Sequence, residues 1–238
     1  VKLILDHSDR IELNARSNNG MNAFMIACNW GRTDVVQLLL DNSERIELNA
    51  SSDCGTTAFM ITCRDGRTDV VKLLLDHSHP KIELNATNNR GMTAFNLACS
   101  FTYGNGYKDV VQLLLNHSNR IELNARNNTG RTAFMDACIE GDKDVVKLLL
   151  DHSERIDLNA RTNIDGITAF MLACRFGHKD VVQLLLNHSN PRIEVNAKAN
   201  TDIFENTKTA FMMAGRYGHR DIVKLLLEYS DIDISGYD

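Results

Sequence analysis

The chain holds no apolar run approaching the ~20 residues that a membrane helix needs, and no basic-then-apolar leader opens it. Neither membrane insertion nor secretion is therefore expected. It has no Gly-rich phosphate loop, no Gly-x-Ser-x-Gly elbow and no His-Glu-x-x-His pair. Those absences remove the common signatures of phosphoryl transfer, acyl transfer and zinc hydrolysis. No Cys-x-x-Cys pair starts a zinc site. No catalytic residue, metal ligand or cofactor is expected. A formal net charge of -5 weighs against general nucleic-acid binding. With 43% hydrophobic and 24% charged residues, the composition is that of a folded chain.

What is present is repetition. An Asn-Ala step occurs at Asn14, Asn49, Asn85, Asn124, Asn159 and Asn196, giving intervals of 35, 36, 39, 35 and 37 residues. An Ala-Phe step returns at Phe24, Phe59, Phe95, Phe134, Phe170 and Phe211, and a leucine triplet begins at Leu38, Leu73, Leu113, Leu148, Leu184 and Leu225. A period in this range signals stacked supersecondary units, each unable to bury its apolar face without a neighbour.

One unit, Asn124 to Leu158, shows the internal grammar. Asn124 to Arg131 carries turn chemistry, with Gly130 free to take positive φ. Thr132 has the side chain to cap a short first helix, Ala133 to Glu140, which Gly141 ends. A second helix from about Asp144 places Val145, Val146, Leu148, Leu149 and Leu150 on a wide apolar stripe. Ser153 to Leu158 then returns, with Ile156 and Leu158 alternating as in a short strand.

These residues resemble the ankyrin-repeat pattern, in which Thr-Pro-Leu-His opens the first helix and Val-x-x-Leu-Leu marks the second. Here the corresponding residues are Thr132-Ala133-Phe134-Met135, Ala137-Cys138, Gly141-Asp142, Val146 and Leu149-Leu150, while Gly177-His178 and Gly218-His219 match the family's Gly-His step. The resemblance covers essentially the whole chain. It implies an all-α solenoid of helix-turn-helix units with β-hairpin-like turns. One array then divides into a partial repeat at 1–13 and repeats at 14–48, 49–84, 85–123, 124–158, 159–195 and 196–238.

Three departures stand out. The family's Pro is Ala in every copy, which loses a preset φ but keeps helix propensity. Its His is replaced by Met25, Met60, Asn96, Met135, Met171 and Met212, so apolar contact is expected where a polar network would sit. The return after the second helix is two residues longer than usual, as in His152 to Asn159. Insertions fall at Phe101 to Tyr107 and around Asp202-Ile203-Phe204-Glu205, the loop positions where solenoids tolerate or use extra residues. Val1 to Ser8 align with the second helix of a half repeat, from which an upstream continuation is expected.

Cys28, Cys63, Cys99, Cys138 and Cys174 share one slot of successive repeats. Packed helices lie ~8–10 Å apart, beyond the ~7 Å limit for a disulfide. They are expected to be small buried hydrophobes in a reducing cytoplasm, or in the nucleus. Cys54 falls in a turn and is expected to be exposed. His7, His77, His117, His152 and His188 recur after the second helix as part of the scaffold, and His79 makes a His-Ser-His step with His77. Each Asn-Ala asparagine is expected to hold its turn through side-chain to backbone hydrogen bonds. Its acidic-aliphatic-Asn context also resembles the core favoured by the asparaginyl hydroxylase that modifies ankyrin repeats.

The columns before the glycine that ends the first helix vary between copies: Asn29-Trp30, Arg64-Asp65, Ser100-Phe101, Ile139-Glu140, Arg175-Phe176 and Arg216-Tyr217. By resemblance, this column and the turn tips face the family's concave binding groove. Trp30, Phe101, Phe176 and Tyr217 would be aromatic anchors, the alternative being packing against the adjacent helix. The turn side adds Arg16, Arg126, Arg131 and Arg161, so the groove is expected to be basic and to suit a partner with acidic and apolar residues, unless these charges form a plain solvated face. The expected function is a non-enzymatic scaffold binding a protein through Trp30, Arg64, Phe101, Arg126, Arg131, Arg161, Arg175, Phe176, Arg216 and Tyr217. The alternative is the targeting segment of a larger enzyme, channel or ubiquitin-ligase adaptor. Nucleic-acid and membrane partners are disfavoured, and no oligomeric state is implied.

Overall fold

The computed structural model describes residues 12–76, 82–100, 107–188, 192–200, 209–229 and 231–232. The half repeat at Val1 to Ser8, Phe101, the finger around Phe204, His7, His77 and His79 lie outside these residues. The fold falls into two compact units, Val1–Glu122 and Leu123–Asp238. Each is taken by itself.

In the first unit the helices are α1 Ala23–Asn29, α2 Thr33–Leu40, α3 Ala58–Arg64, α4 Thr68–Asp76, α5 Ala94–Ser100 and α6 Tyr107–Asn116. In the second they are α7 Ala133–Glu140, α8 Lys143–Leu150, α9 Ala169–Phe176, α10 Lys179–Asn187, α11 Ala210–Arg216 and α12 Arg220–Glu228. Each odd-numbered helix packs on the even-numbered helix of its own repeat. Within a unit, first helices also pack on first helices, and second on second, giving two layers.

Local chemistry sets the helix ends. Thr132 and Thr168 accept from the backbone amides of Met135 and Met171 at 3.4 Å, with Thr57, Thr209 and Asn22 playing the same part in their repeats. Asn96 adds the reciprocal bond, since its Oδ1 accepts from the Thr93 amide at 3.0 Å. Gly141 caps α7 in the left-handed region at φ 74°. A β-carbon at Gly141 would strike the His178 ring, so this glycine answers to packing as well as to φ.

The core is the repeat pattern made solid. Phe24, Phe59, Phe95, Phe134 and Phe170 are at most 2% exposed, and the histidine-replacing residues Met25, Met60, Asn96, Met135 and Met171 are buried beside them. Val145, Val146, Leu149 and Leu150 are buried on α8, as the wide stripe requires. The return segment departs from expectation. Ser153 to Ile156 is a succession of turns and a bend rather than a strand, because its amides bond locally, as Arg155 does to the His152 carbonyl at 3.0 Å.

Candidate functional site

The turn that precedes each first helix is tied to the return that closes its own repeat and, where it carries arginine, to the next turn, and those ties decide which charges are left to meet a partner. Asn124 donates to the Arg155 carbonyl at 2.9 Å and accepts from the Asp157 amide at 2.8 Å. Asn14, Asn85 and Asn159 make the same pair of bonds with the return segments of their own repeats. The expected asparagine bonds thus join the opening turn to the return segment at the end of the same repeat, rather than lying within one turn. Turn tips add a single backbone bond each, such as Asn163 amide to Thr129 carbonyl at 3.1 Å.

The turn arginines reach onward to the next turn instead. Arg16 donates to the Ser51 carbonyl at 2.7 Å, Arg126 to the Arg161 carbonyl, and Arg161 to the Lys198 carbonyl at 2.7 Å. Arg126 also reaches Asn163 Oδ1 at 3.1 Å, and Arg161 lies 3.7 Å from Glu194. Their guanidiniums stitch neighbouring turns, while Arg16 and Arg126 stay exposed to solvent. Arg131 is likewise engaged, 3.3 Å from the carboxylate of Asp136, which is only 3% exposed. In other repeats these two positions hold apolar pairs such as Met92 with Leu97 and Ile167 with Leu172. Sequence reasoning missed this exchange of an apolar pair for an ionic one, although the column comparison contains it. Burial of that carboxylate is tolerable only because a guanidinium accompanies it.

The column at the end of the first helices has a different character. In the first unit Trp30 caps α1 and is 64% exposed. It stands between an apolar cleft of about 530 Å³, lined by Ile26, Val35 and Leu39, and a polar cleft of about 400 Å³ that Thr68, Asp69 and Asp109 help to line. Arg64 is held by its neighbour Asp65 through two parallel bonds of 2.7 and 3.1 Å, which raise its pKa further above the usual arginine value. In the second unit the structure brings Arg175, Phe176 and Tyr217 together: the Arg175 guanidinium lies 5.7 Å from the Phe176 ring centre and 5.3 Å from that of Tyr217. Phe176 is 47% and Tyr217 40% exposed, and Arg216 beside them is exposed. Glu140, in the corresponding position of α7, has its pKa raised by burial, partly offset by His178 and Arg131.

A second missed feature lies just after the terminating glycine. His178 Nε2 contacts the Ile139 carbonyl at 2.6 Å, His219 Nε2 the Arg175 carbonyl at 2.9 Å, and Arg67 donates to the Asn29 carbonyl at 3.1 Å. Each reaches back to the last turn of the preceding repeat's first helix, where open carbonyls seek partners. These side chains set the backbone from which the variable column projects. The His117 and His152 rings bond the Leu113 and Leu148 carbonyls at 2.9 and 3.0 Å, a scaffold role.

Comparison with protein families supplies the deciding observation. The model for ankyrin repeats in three copies matches residues 44–103, 81–162 and 154–238, and the single ankyrin-repeat model matches 19–53. The chain belongs to the ankyrin-repeat family. Ankyrin repeats are generally protein–protein interaction modules, and ankyrin-repeat proteins are typically non-enzymatic. Comparison with curated proteins finds no match. Within this ankyrin array, no described helix is long and apolar enough to cross a membrane. Among the described residues, no group of three or more His, Cys, Asp or Glu could hold a metal ion.

Proposed function

We propose that this ankyrin array is a non-enzymatic scaffold that binds a partner protein through the column at the end of its first helices, the face that family resemblance makes concave. One observation carries the reading. The scaffold phenylalanines at Phe24, Phe59, Phe95, Phe134 and Phe170 are buried, whereas Trp30, Phe176 and Tyr217 keep 40–64% of their surface exposed. Large aromatic surface costs free energy in water and is the usual anchor of a protein interface. Nucleic acid is disfavoured because the turn arginines, its natural phosphate contacts, already serve the repeat boundaries.

The test is affinity capture from native extract with the full chain and with Trp30→Ala, Phe176→Ala and Tyr217→Ala variants. Truncating an anchor is expected to leave the unfolding midpoint nearly unchanged and to weaken capture by ~2 kcal/mol or more. A midpoint lowered as far as Phe170→Ala lowers it would mark these aromatics as packing residues and end the proposal.

A further inference from the structure

Resting on that reading, we infer that Arg175, Phe176, Arg216 and Tyr217 form a docking site for a short acidic and apolar peptide segment of the partner. The Arg175 guanidinium lies against two ring faces, at 5.7 and 5.3 Å, which orients its N–H edge for a planar carboxylate. The Phe176 ring in turn stacks on His178, with centres 6.4 Å apart and planes 14° from parallel. His178 and His219 are themselves anchored to the Ile139 and Arg175 carbonyls. The platform is therefore set before a ligand arrives, and less freedom is lost on binding.

Charge selects this pair of repeats. The stretches Arg175 to Asp180 and Arg216 to Asp221 hold four basic residues, Arg175, Lys179, Arg216 and Arg220, and two acidic ones, Asp180 and Asp221. In the first unit the basic residues of the corresponding stretches are matched by acids, as Arg64 is by Asp65. In the repeat of α7 the balance is negative, with Glu140, Asp142 and Asp144 against Lys143. A positive excess in a chain of net charge -5 thus gathers where the two exposed aromatics sit.

The same arrangement favours a peptide over a nucleic acid. A phosphate backbone needs a continuous cationic track, and Asp180, Asp221, Glu140 and Asp142 interrupt any such track. One or two carboxylates need only Arg175 and Arg216. First helices of adjacent repeats lie ~10 Å apart, a span covered by about three residues of extended chain. The fitting segment carries acidic residues about three positions apart with apolar side chains between them, laid over Phe176 and Tyr217.

The experiment titrates the full chain into a fluorescein-labelled peptide, Gly-Ser-Asp-Asp-Leu-Phe-Asp-Asp-Ser-Gly, and follows anisotropy. Counterparts with Asn or Lys in place of Asp, and a single-stranded oligothymidine, complete the set. The acidic peptide is expected to bind saturably, and each counterpart at least tenfold more weakly. Arg175→Gln and Arg175→Lys are both expected to weaken it at least tenfold, because lysine keeps the charge and loses the planar stack. Lys147→Ala, at an exposed position of α8, is expected to change it less than twofold, and matched unfolding midpoints confirm that every variant is folded. Equal binding of the Asn peptide, tighter binding of oligothymidine, or a Lys147→Ala loss as large as that of Arg175→Gln would overturn the inference. Absence of peptide binding while the wild-type chain still captures its partner overturns this site and leaves the scaffold reading standing; loss of both overturns both.

Discussion

Asn159 and Glu194 tie the two ends of one repeat: the Glu194 amide donates to Asn159 Oδ1 at 2.8 Å, while the Asn159 side-chain nitrogen donates to the Arg192 carbonyl at 3.0 Å. Both ends of one side chain are used, so no other residue of similar size replaces it. Alanine removes two bonds and leaves a donor and an acceptor of the return segment to water. Asn159→Ala is expected to cost about 1–2 kcal/mol in urea titration. A change within 0.3 kcal/mol would show that water replaces the clamp without loss.

Gly141 and Gly218 share a left-handed backbone, at φ 74° and 77°, but differ in surroundings. A β-carbon at Gly141 meets the His178 ring, and at Gly218 it meets nothing within 4 Å. Gly218→Ala is expected to cost about 1–2 kcal/mol, the conformational term alone. Gly141→Ala is expected to cost more, since His178 must also leave the Ile139 carbonyl. Equal losses would mean that the histidine shifts freely.

Charge reversal at Arg161 is expected to act on stability as well as on encounter with a partner. Its guanidinium holds the Lys198 carbonyl at 2.7 Å and the Gly166 carbonyl at 3.3 Å. Arg161→Glu removes both bonds and sets a carboxylate beside Glu194, so the unfolding midpoint should fall. Lys147→Glu, at an exposed position of α8, is the control and should move neither midpoint nor binding. An unchanged midpoint for Arg161→Glu would return that residue to a purely electrostatic role.

Phe170 lies on α9, which packs between α7 and α11, and is 1% exposed. Its truncation to alanine is expected to cost about 3–5 kcal/mol. Phe211, 9% exposed, should lose less under the same change. A larger loss at Phe211 would contradict nearest-neighbour stacking as the source of stability.

The cysteines give a pH dependence. Burial pushes the thiol pKa up at Cys28, Cys63, Cys138 and Cys174. In the unfolded chain these thiols ionise near pH ~8.5, so above that pH the folded state binds more protons. Their contribution to stability is complete below pH ~8.5 and declines as pH rises beyond it. Denaturant midpoints at pH 7, 9 and 10 should fall in that order, and serine at Cys138 should reduce the slope. Thiol labelling of the native protein should mark Cys54, the exposed cysteine, first.

The repeat layout was legible in the sequence because each unit states its own ends. Thr132 announced a cap, Gly141 a stop, and the apolar stripe of α8 the buried face; all three stand so in the structure. The strand-like return did not form, since alternation of Ile156 and Leu158 serves burial within a turn as well as within a strand. Exposure of the column aromatics could only be guessed, because an aromatic at a helix end is compatible with packing or with solvent. What one sequence hid most fully was the partner of each polar side chain. Arg126, Arg161 and His178 bond to carbonyls 35, 37 and 39 residues away, and a carbonyl carries no signature of its residue type.

The boundary bonds also have a direction. Arg16, Arg126 and Arg161 each donate to a backbone carbonyl of the higher-numbered repeat, at Ser51, Arg161 and Lys198. A segment cut from Asn124 to Leu158 therefore carries both halves of its asparagine clamp, while the handhold its arginine takes beyond it is a backbone carbonyl. Unequal intervals of 35 to 39 residues show how little the joint constrains what each copy does with its loops. The column of first-helix ends can then differ copy by copy while the joint beneath it is made the same way.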